Sequence, residues 1–261
     1  MAVKQCMVLP IFFNPERHSL DAFCAEVAEI GYAAIEVMTL HAPDLAEIVA
    51  TARRHGLVVA SMPGHASLRD GLNKVENHDR IEAELRRSIE MAAEHGIGGV
   101  ICFSGNRNPG QSDYEGLVAS ARGLRRVARY AEDHGVNLNV ELLNSKVDHP
   151  GYQADHTDWG VALCEMVGSP RAKLLFDIYH MQIMEGDVIR TIQRYHQYIG
   201  HMHTAGNPGR HDLDDEQELS YTGICRAIEA TGYDLYVGHE FTPKGDRMAA
   251  LRQAYRVCAG V

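Results

Sequence analysis

One pattern recurs along the chain: an amphipathic run, a glycine, then a short apolar run rich in branched residues. Leu20, Phe23, Val27 and Ile30 share one helical face, Gly31 follows, and Ala34-Ile35-Glu36-Val37-Met38 is too short for a helix but suits a buried strand. The stretch from Leu45 to His55 ends at Gly56 and leads into 57–62. Ile81, Leu85, Ile89 and Ala92 precede His95-Gly96 and the strand 99–103; Leu117, Ala121, Leu124, Ala128 and Ala131 precede His134-Gly135 and 138–142. The second half repeats the unit, with 159–167 before 173–177, Val188, Ile192 and Tyr195 before 199–203, and Ile224 and Ile228 before 236–240. Cys6-Met7-Val8-Leu9 opens the series as a first strand and Met248 to Val257 closes it as a helix. Strict alternation implies parallel strands joined by right-handed crossovers. Eight units in 261 residues match a closed (β/α)8 barrel, the TIM barrel, as one domain over 1–261.

His-Gly ends three successive helices, at His55-Gly56, His95-Gly96 and His134-Gly135. A glycine there takes the left-handed conformation and a histidine complements the negative helix end, so these three are read as caps. The longer connections, 104–114, 143–157 and 205–220, all follow strands, on the face where barrels of this kind build their sites.

A buried strand is normally apolar, because an unpaired charge there is costly. Four consecutive strands nevertheless carry a polar residue near the C-terminal end: Glu141, Asp177, His203 and Glu240. In a barrel these ends converge. Two carboxylates ~4 Å apart repel by about 4 kcal/mol at an effective dielectric near 20. Three therefore require protonation or a cation, and three oxygens with one imidazole suit a single divalent ion, Mn2+ or Mg2+ first, with Co2+ or Zn2+ also compatible. Around the same mouth lie His180, Arg210, Lys146, His65 and Arg69, of which His180, Arg210, Lys146 and His65 are taken as candidate substrate contacts. An arginine can grip a carboxylate in a forked geometry, and a histidine can polarise a substrate oxygen. Glu36 is read as a salt-bridge partner or as a residue that holds a ligand in place. Asp155-His156-Thr157-Asp158 is read as helix capping, the acidic run Asp212 to Glu218 as solvated surface, and Arg53-Arg54 and Arg125-Arg126 as water-facing helix positions.

Other classes are disfavoured. Net charge is −10, from 25 basic and 35 acidic residues, which opposes general nucleic-acid binding. No run approaches ~18 apolar residues, so no membrane span is expected, and the opening residues do not read as a secretory signal. Cys6, Cys24, Cys102, Cys164, Cys225 and Cys258 lie far apart without a CxxC pair and are read as reduced thiols of a cytoplasmic protein. There is no glycine-rich phosphate loop, nucleophile elbow or dinucleotide fingerprint.

The segments Val140-Glu141-Leu142-Leu143-Asn144, Phe176-Asp177-Ile178-Tyr179-His180-Met181, Gly200-His201-Met202-His203, Asn207-Pro208-Gly209-Arg210 and Gly238-His239-Glu240 resemble motifs of the xylose-isomerase-like barrel superfamily. Within it the chain is most similar to hydroxypyruvate isomerases, with ketose 3-epimerases as neighbours. The resemblance implies that Glu141, Asp177, His203 and Glu240 hold one divalent metal, that Glu141 and Glu240 are the acid–base pair, and that His180 and Arg210 touch substrate oxygens. It also implies isomerisation of a small keto acid or ketose through an enediolate, in a homodimer or homotetramer. His203 follows the epimerase pattern, where hydroxypyruvate isomerases often carry glutamine, and Asp148 lies one position from an acid typical of epimerases. A 3-keto-sugar lyase or dehydratase is the alternative within the superfamily. Outside isomerase chemistry stand a phosphodiesterase similar to abasic-site endonucleases and a metal-free sugar-binding barrel.

Overall fold

A computed structural model describes residues 2–260. Eight strands, β1 (Lys4–Met7), β2 (Ala34–Glu36), β3 (Val58–Pro63), β4 (Gly99–Cys102), β5 (Asn137–Leu142), β6 (Ala172–Asp177), β7 (Ile199–Thr204) and β8 (Tyr236–His239), form one parallel sheet in the order β1-β8-β7-β6-β5-β4-β3-β2. A parallel bridge between Val8 and Glu36, with the Ala33 N–H donating to the Gln5 carbonyl, draws the two edges together. The expected eight-unit barrel is therefore the observed architecture, and its strands are buried on both faces, as parallel strands covered by helices must be.

Among the described residues, ten α-helices cover the sheet: α1 (Leu9–Phe12), α2 (Leu20–Ile30), α3 (Ala42–Arg54), α4 (His78–His95), α5 (Asp113–His134), α6 (Thr157–Val167), α7 (Ile178–Met184), α8 (Val188–Tyr195), α9 (Tyr221–Ala230) and α10 (Arg247–Ala259). The apolar stripes foreseen on α2, α4 and α5 are buried: Phe23 and Val27; Ile81, Leu85, Ile89 and Ala92; Leu117, Ala121, Leu124, Ala128 and Ala131. Gly96 and Gly135 take the left-handed conformation at the ends of α4 and α5, and Gly56 does so one residue beyond the His55 cap of α3. Of the three histidines, His134 donates from Nδ1 to the Tyr130 carbonyl (2.9 Å), whereas His55 turns to Asp21 (Nε2–Oδ1 3.0 Å).

Two local expectations are corrected, for the first strand and for 155–158, and a helix not foreseen follows β6. The first strand spans Lys4–Met7 rather than Cys6–Leu9. Residues 4–7 pair with Tyr236–His239, and Pro10, which lacks an N–H, sits in the first turn of α1. The segment after β6 is helical at once, since Asp177 Oδ1 accepts from the N–H groups of Tyr179 (2.9 Å) and His180 (3.2 Å) and starts α7. Asp155-His156-Thr157-Asp158 does not cap α6. Glu185 does so from a distance, accepting from Thr157 N (2.8 Å) and Thr157 Oγ1 (2.6 Å), while Asp155 takes both Nη atoms of Arg107 (3.1 and 3.2 Å). All six cysteines are free and buried, and among the described residues no helix is long and apolar enough to cross a membrane.

Candidate active site

The site is assembled by strand register. Asp177 lies directly opposite His203, and His203 opposite Gly238, so the ends of β6, β7 and β8 deliver Asp177, His203 and Glu240 side by side. Glu141 enters from β5, and the backbone N–H of Glu240 is fixed on the Thr204 carbonyl (3.0 Å). One ligand atom from each of Glu141, Asp177, His203 and Glu240 lies within 4.8 Å of the others. His203 Nδ1 is 2.9 Å from Glu240 Oε2 and 3.6 Å from Glu141 Oε1, yet makes no aligned hydrogen bond. The four ligand atoms thus converge within 4.8 Å of one another, with no hydrogen bond made at His203 Nδ1. Three carboxylates and one imidazole so gathered, buried except for the partly exposed Glu240, fit a divalent cation.

The electrostatics of the cluster are uneven. Burial pushes the Glu141 and Asp177 carboxyls above the usual range. Burial would also raise Glu240, but His203 and Arg210 outweigh it and bring that carboxyl down to about 2. Arg210, held in the left-handed region (φ 57°), places Nη2 2.6 Å from Glu240 Oε2 and 3.4 Å from Asp177 Oδ2, with its guanidinium 5.7 Å from the Tyr179 ring centroid. Its Nε is buried and unpartnered.

His180 is fully buried, and its tautomer follows from its neighbours. Asn144 Oδ1 accepts from the N–H groups of Val147 (3.0 Å) and Asp148 (2.9 Å), so the Asn144 amide nitrogen donates, to Asp148 Oδ2 (2.6 Å) and to His180 Nδ1 (2.6 Å). The proton then sits on His180 Nε2, 3.5 Å from Asp177 Oδ2 and without a hydrogen-bond partner. Burial and the nearby Arg210 charge hold this imidazole well below its ordinary pKa, so it is a neutral donor. Asp148 also accepts from the Tyr179 hydroxyl (2.8 Å), so this acid supports the His180 mount.

Above the cluster opens a cavity of about 380 Å3, with Glu141, Glu240, Arg210 and His149 at its polar end and Met38, Leu40, Leu68 and Phe103 among its apolar walls. His65 lines it, accepting at Nε2 from the Phe103 N–H (2.9 Å). Lys146 does not reach it: its Nζ donates to the carbonyls of Ile183 (2.9 Å) and Met184 (3.0 Å) at the end of α7. Arg69 also lies outside the lining. His149 has no role in the motif reading, yet lines the cavity with its ring 5.3 Å from that of His180. The available signal is its place in the long 143–157 connection after β5.

The whole chain has known likenesses. A 2-oxo-tetronate isomerase of Cupriavidus necator is 32% identical over 257 residues, covering 93% of this chain and 94% of that one. A hydroxypyruvate isomerase of Escherichia coli is 30% identical over 175 residues, covering 66% and 67%. The solved structure of an AP endonuclease, family 2, from Brucella melitensis superposes with a TM-score of 0.84 at 24% identity, covering 96% and 97%, a likeness of fold. The two relatives by sequence are isomerases, and the chain is accordingly an enzyme of isomerase or epimerase type. Residues 24–259 match the family described as xylose isomerase-like TIM barrel, and the chain belongs to that family.

Proposed function

We propose that this enzyme isomerises a short keto acid with a hydroxyl next to its carbonyl, of the hydroxypyruvate or 2-oxo-tetronate class, and that it depends on one divalent metal, Mn2+ or Mg2+. The observation that carries the reading is the convergence of Glu141, Asp177, His203 and Glu240 beside Arg210 at the floor of the cavity. A divalent ion held by these four side chains would polarise the substrate carbonyl and offset the negative charge that develops on its oxygen. The chain's own groups do the rest. One carboxylate of the Glu141–Glu240 pair takes the proton from the hydroxyl-bearing carbon, leaving an enediolate. The same group, or its partner, returns a proton to the former carbonyl carbon, while the hydroxyl proton passes to the other oxygen. Glu240, held ionised, suits the base, and Glu141, whose carboxyl burial raises, suits the acid. His180 Nε2–H donates to a substrate oxygen, and the Arg210 guanidinium takes the substrate carboxylate.

Epimerisation of a ketose is the second reading, favoured by His203 at the third ligand position and by the apolar wall from Met38 to Phe103. The test is deuterium uptake from solvent by a panel of hydroxy keto acids and ketoses, with metal added, in wild type and Glu240→Gln. Exchange into a keto acid that falls by roughly 10²–10⁴ in the variant is the expected result. Near wild-type exchange in Glu240→Gln refutes its role as base, and exchange confined to ketoses refutes the keto-acid assignment.

A further inference from the structure

Beneath the four converging side chains lies a second polar group that the chemistry above does not use. Glu36 ends β2 and is fully buried. Its carboxylate reaches across the interior to β7, where Oε2 lies 3.1 Å from His203 Nε2 in a hydrogen bond. Oε1 accepts from Cys6 Sγ (3.2 Å) and lies 3.0 Å from His201 Nε2. The carboxylate thus meets three side chains from two strands, all in the dry centre of the barrel.

A carboxylate can only accept, so whatever faces Oε2 must bring the hydrogen. That requirement places a proton on His203 Nε2, so in the neutral ring the lone pair falls on Nδ1, the atom turned toward Glu141 and Glu240. Space for the arm comes from β8. A Cβ built on Gly238 would collide with Glu36 Oε1 and would stand 3.2 Å from Cys6 Sγ. Gly238 is also the register partner of His203, so its missing side chain opens the passage where the carboxylate must run. The Glu36 backbone is anchored on both sides of the seam, since Glu36 itself pairs with Val8 and with Ser61.

We propose that Glu36 is the positioning residue of this site, fixing the His203 imidazole with hydrogen on Nε2 and Nδ1 presented as a ligand, and that Gly238 is glycine to admit it. The inference rests on the metal reading given under Proposed function. Outer partners of this kind, when removed, typically weaken metal binding by 10–100-fold.

The full-length chain, freed of metal with a chelator, is titrated calorimetrically with Mn2+ as wild type, Glu36→Gln and Gly238→Ala. A glutamine carries no charge and offers one acceptor oxygen where the carboxylate offers two, to His203 and to Cys6, so Glu36→Gln is expected to bind Mn2+ at least tenfold more weakly. Gly238→Ala, which pushes the same carboxylate from the other side, is expected to do likewise. In parallel, long-range 1H–15N NMR of the metal-free protein reads the His203 side chain directly. Wild type is expected to show a slowly exchanging Nε2–H, and both variants to lose its protection. A folded Glu36→Gln whose Mn2+ affinity stays within threefold of wild type overturns the proposal, as does a wild-type His203 lacking the Nε2–H. Should Glu36→Gln not fold, the same limits apply to Gly238→Ala. Wild type that shows the Nε2–H but binds no Mn2+ overturns the metal reading and, with it, the ligand half of this inference, while leaving the tautomer assignment standing.

Discussion

His65 offers a quantitative test because its environment fixes its charge. The ring is 1% exposed, and its Nε2 accepts from the Phe103 N–H, so Nδ1 carries the hydrogen of a neutral imidazole. Burial brings its pKa down to about 4, against an ordinary value of 6.5. Above pH 6.5 both the folded and the unfolded chain leave this group neutral, and it makes no pH-dependent difference. As pH falls through 6.5 toward 4, the unfolded chain takes up the proton and the native protein does not, so stability is lost across that window and the loss is complete below about 4. At pH 5 the linkage amounts to about 2 kcal/mol. His239, fully buried with its pKa brought down to about 3 by the same cause, adds to the wild-type loss, so the comparison must be between wild type and variant. His65→Asn removes the titrating group and retains an acceptor for Phe103. Urea unfolding at pH 8 and pH 5 should show the variant losing about 2 kcal/mol less on acidification than wild type, even though it starts less stable at pH 8. Equal losses in the two proteins would show that the imidazole is not held neutral. A neutral His65 can line the cavity as a wall or a hydrogen-bond donor but not as a cation, so in the proposed reaction the cation facing a substrate carboxylate would be Arg210.

Three further outcomes follow from the same geometry. Arg210→Met should lower kcat/KM for keto acids by roughly 10–100-fold, the scale of a hydrogen bond to a charged group, and lower it less for uncharged ketoses; an equal loss on both, measured in parallel steady-state assays, argues against carboxylate recognition. Lys146→Met should leave kcat and KM for the same substrates within about twofold and lower the unfolding free energy by about 1 kcal/mol or less, because Nζ only tethers the exposed end of α7. Chelation should abolish turnover and lower the thermal midpoint, with Mn2+ at 100 times its Kd restoring about 2.7 kcal/mol of stability; a midpoint indifferent to Mn2+ contradicts the metal site.

Much of this protein is legible in order along the chain. Helical stripes ending at glycine and short branched runs after them are local signals, since each reflects the twist of one element, and eight repeats leave few ways to bury every apolar face other than a barrel. Glu141, Asp177, His203 and Glu240 stand out for the same local reason, as polar residues at or just past the ends of apolar strands. What the tertiary structure alone decided is which side chains meet and through which atom. Closure of the sheet carries Glu36 across to His203 and so selects Nδ1 over Nε2. The path of the 143–157 connection brings His149 into the cavity, while Lys146, three positions away, turns to the carbonyls of α7. Glu185 replaces the local residues as the cap of α6. Such contacts join positions tens to more than a hundred residues apart, and their distances depend on register, barrel closure and loop direction, none of which has a period that a linear sequence can display.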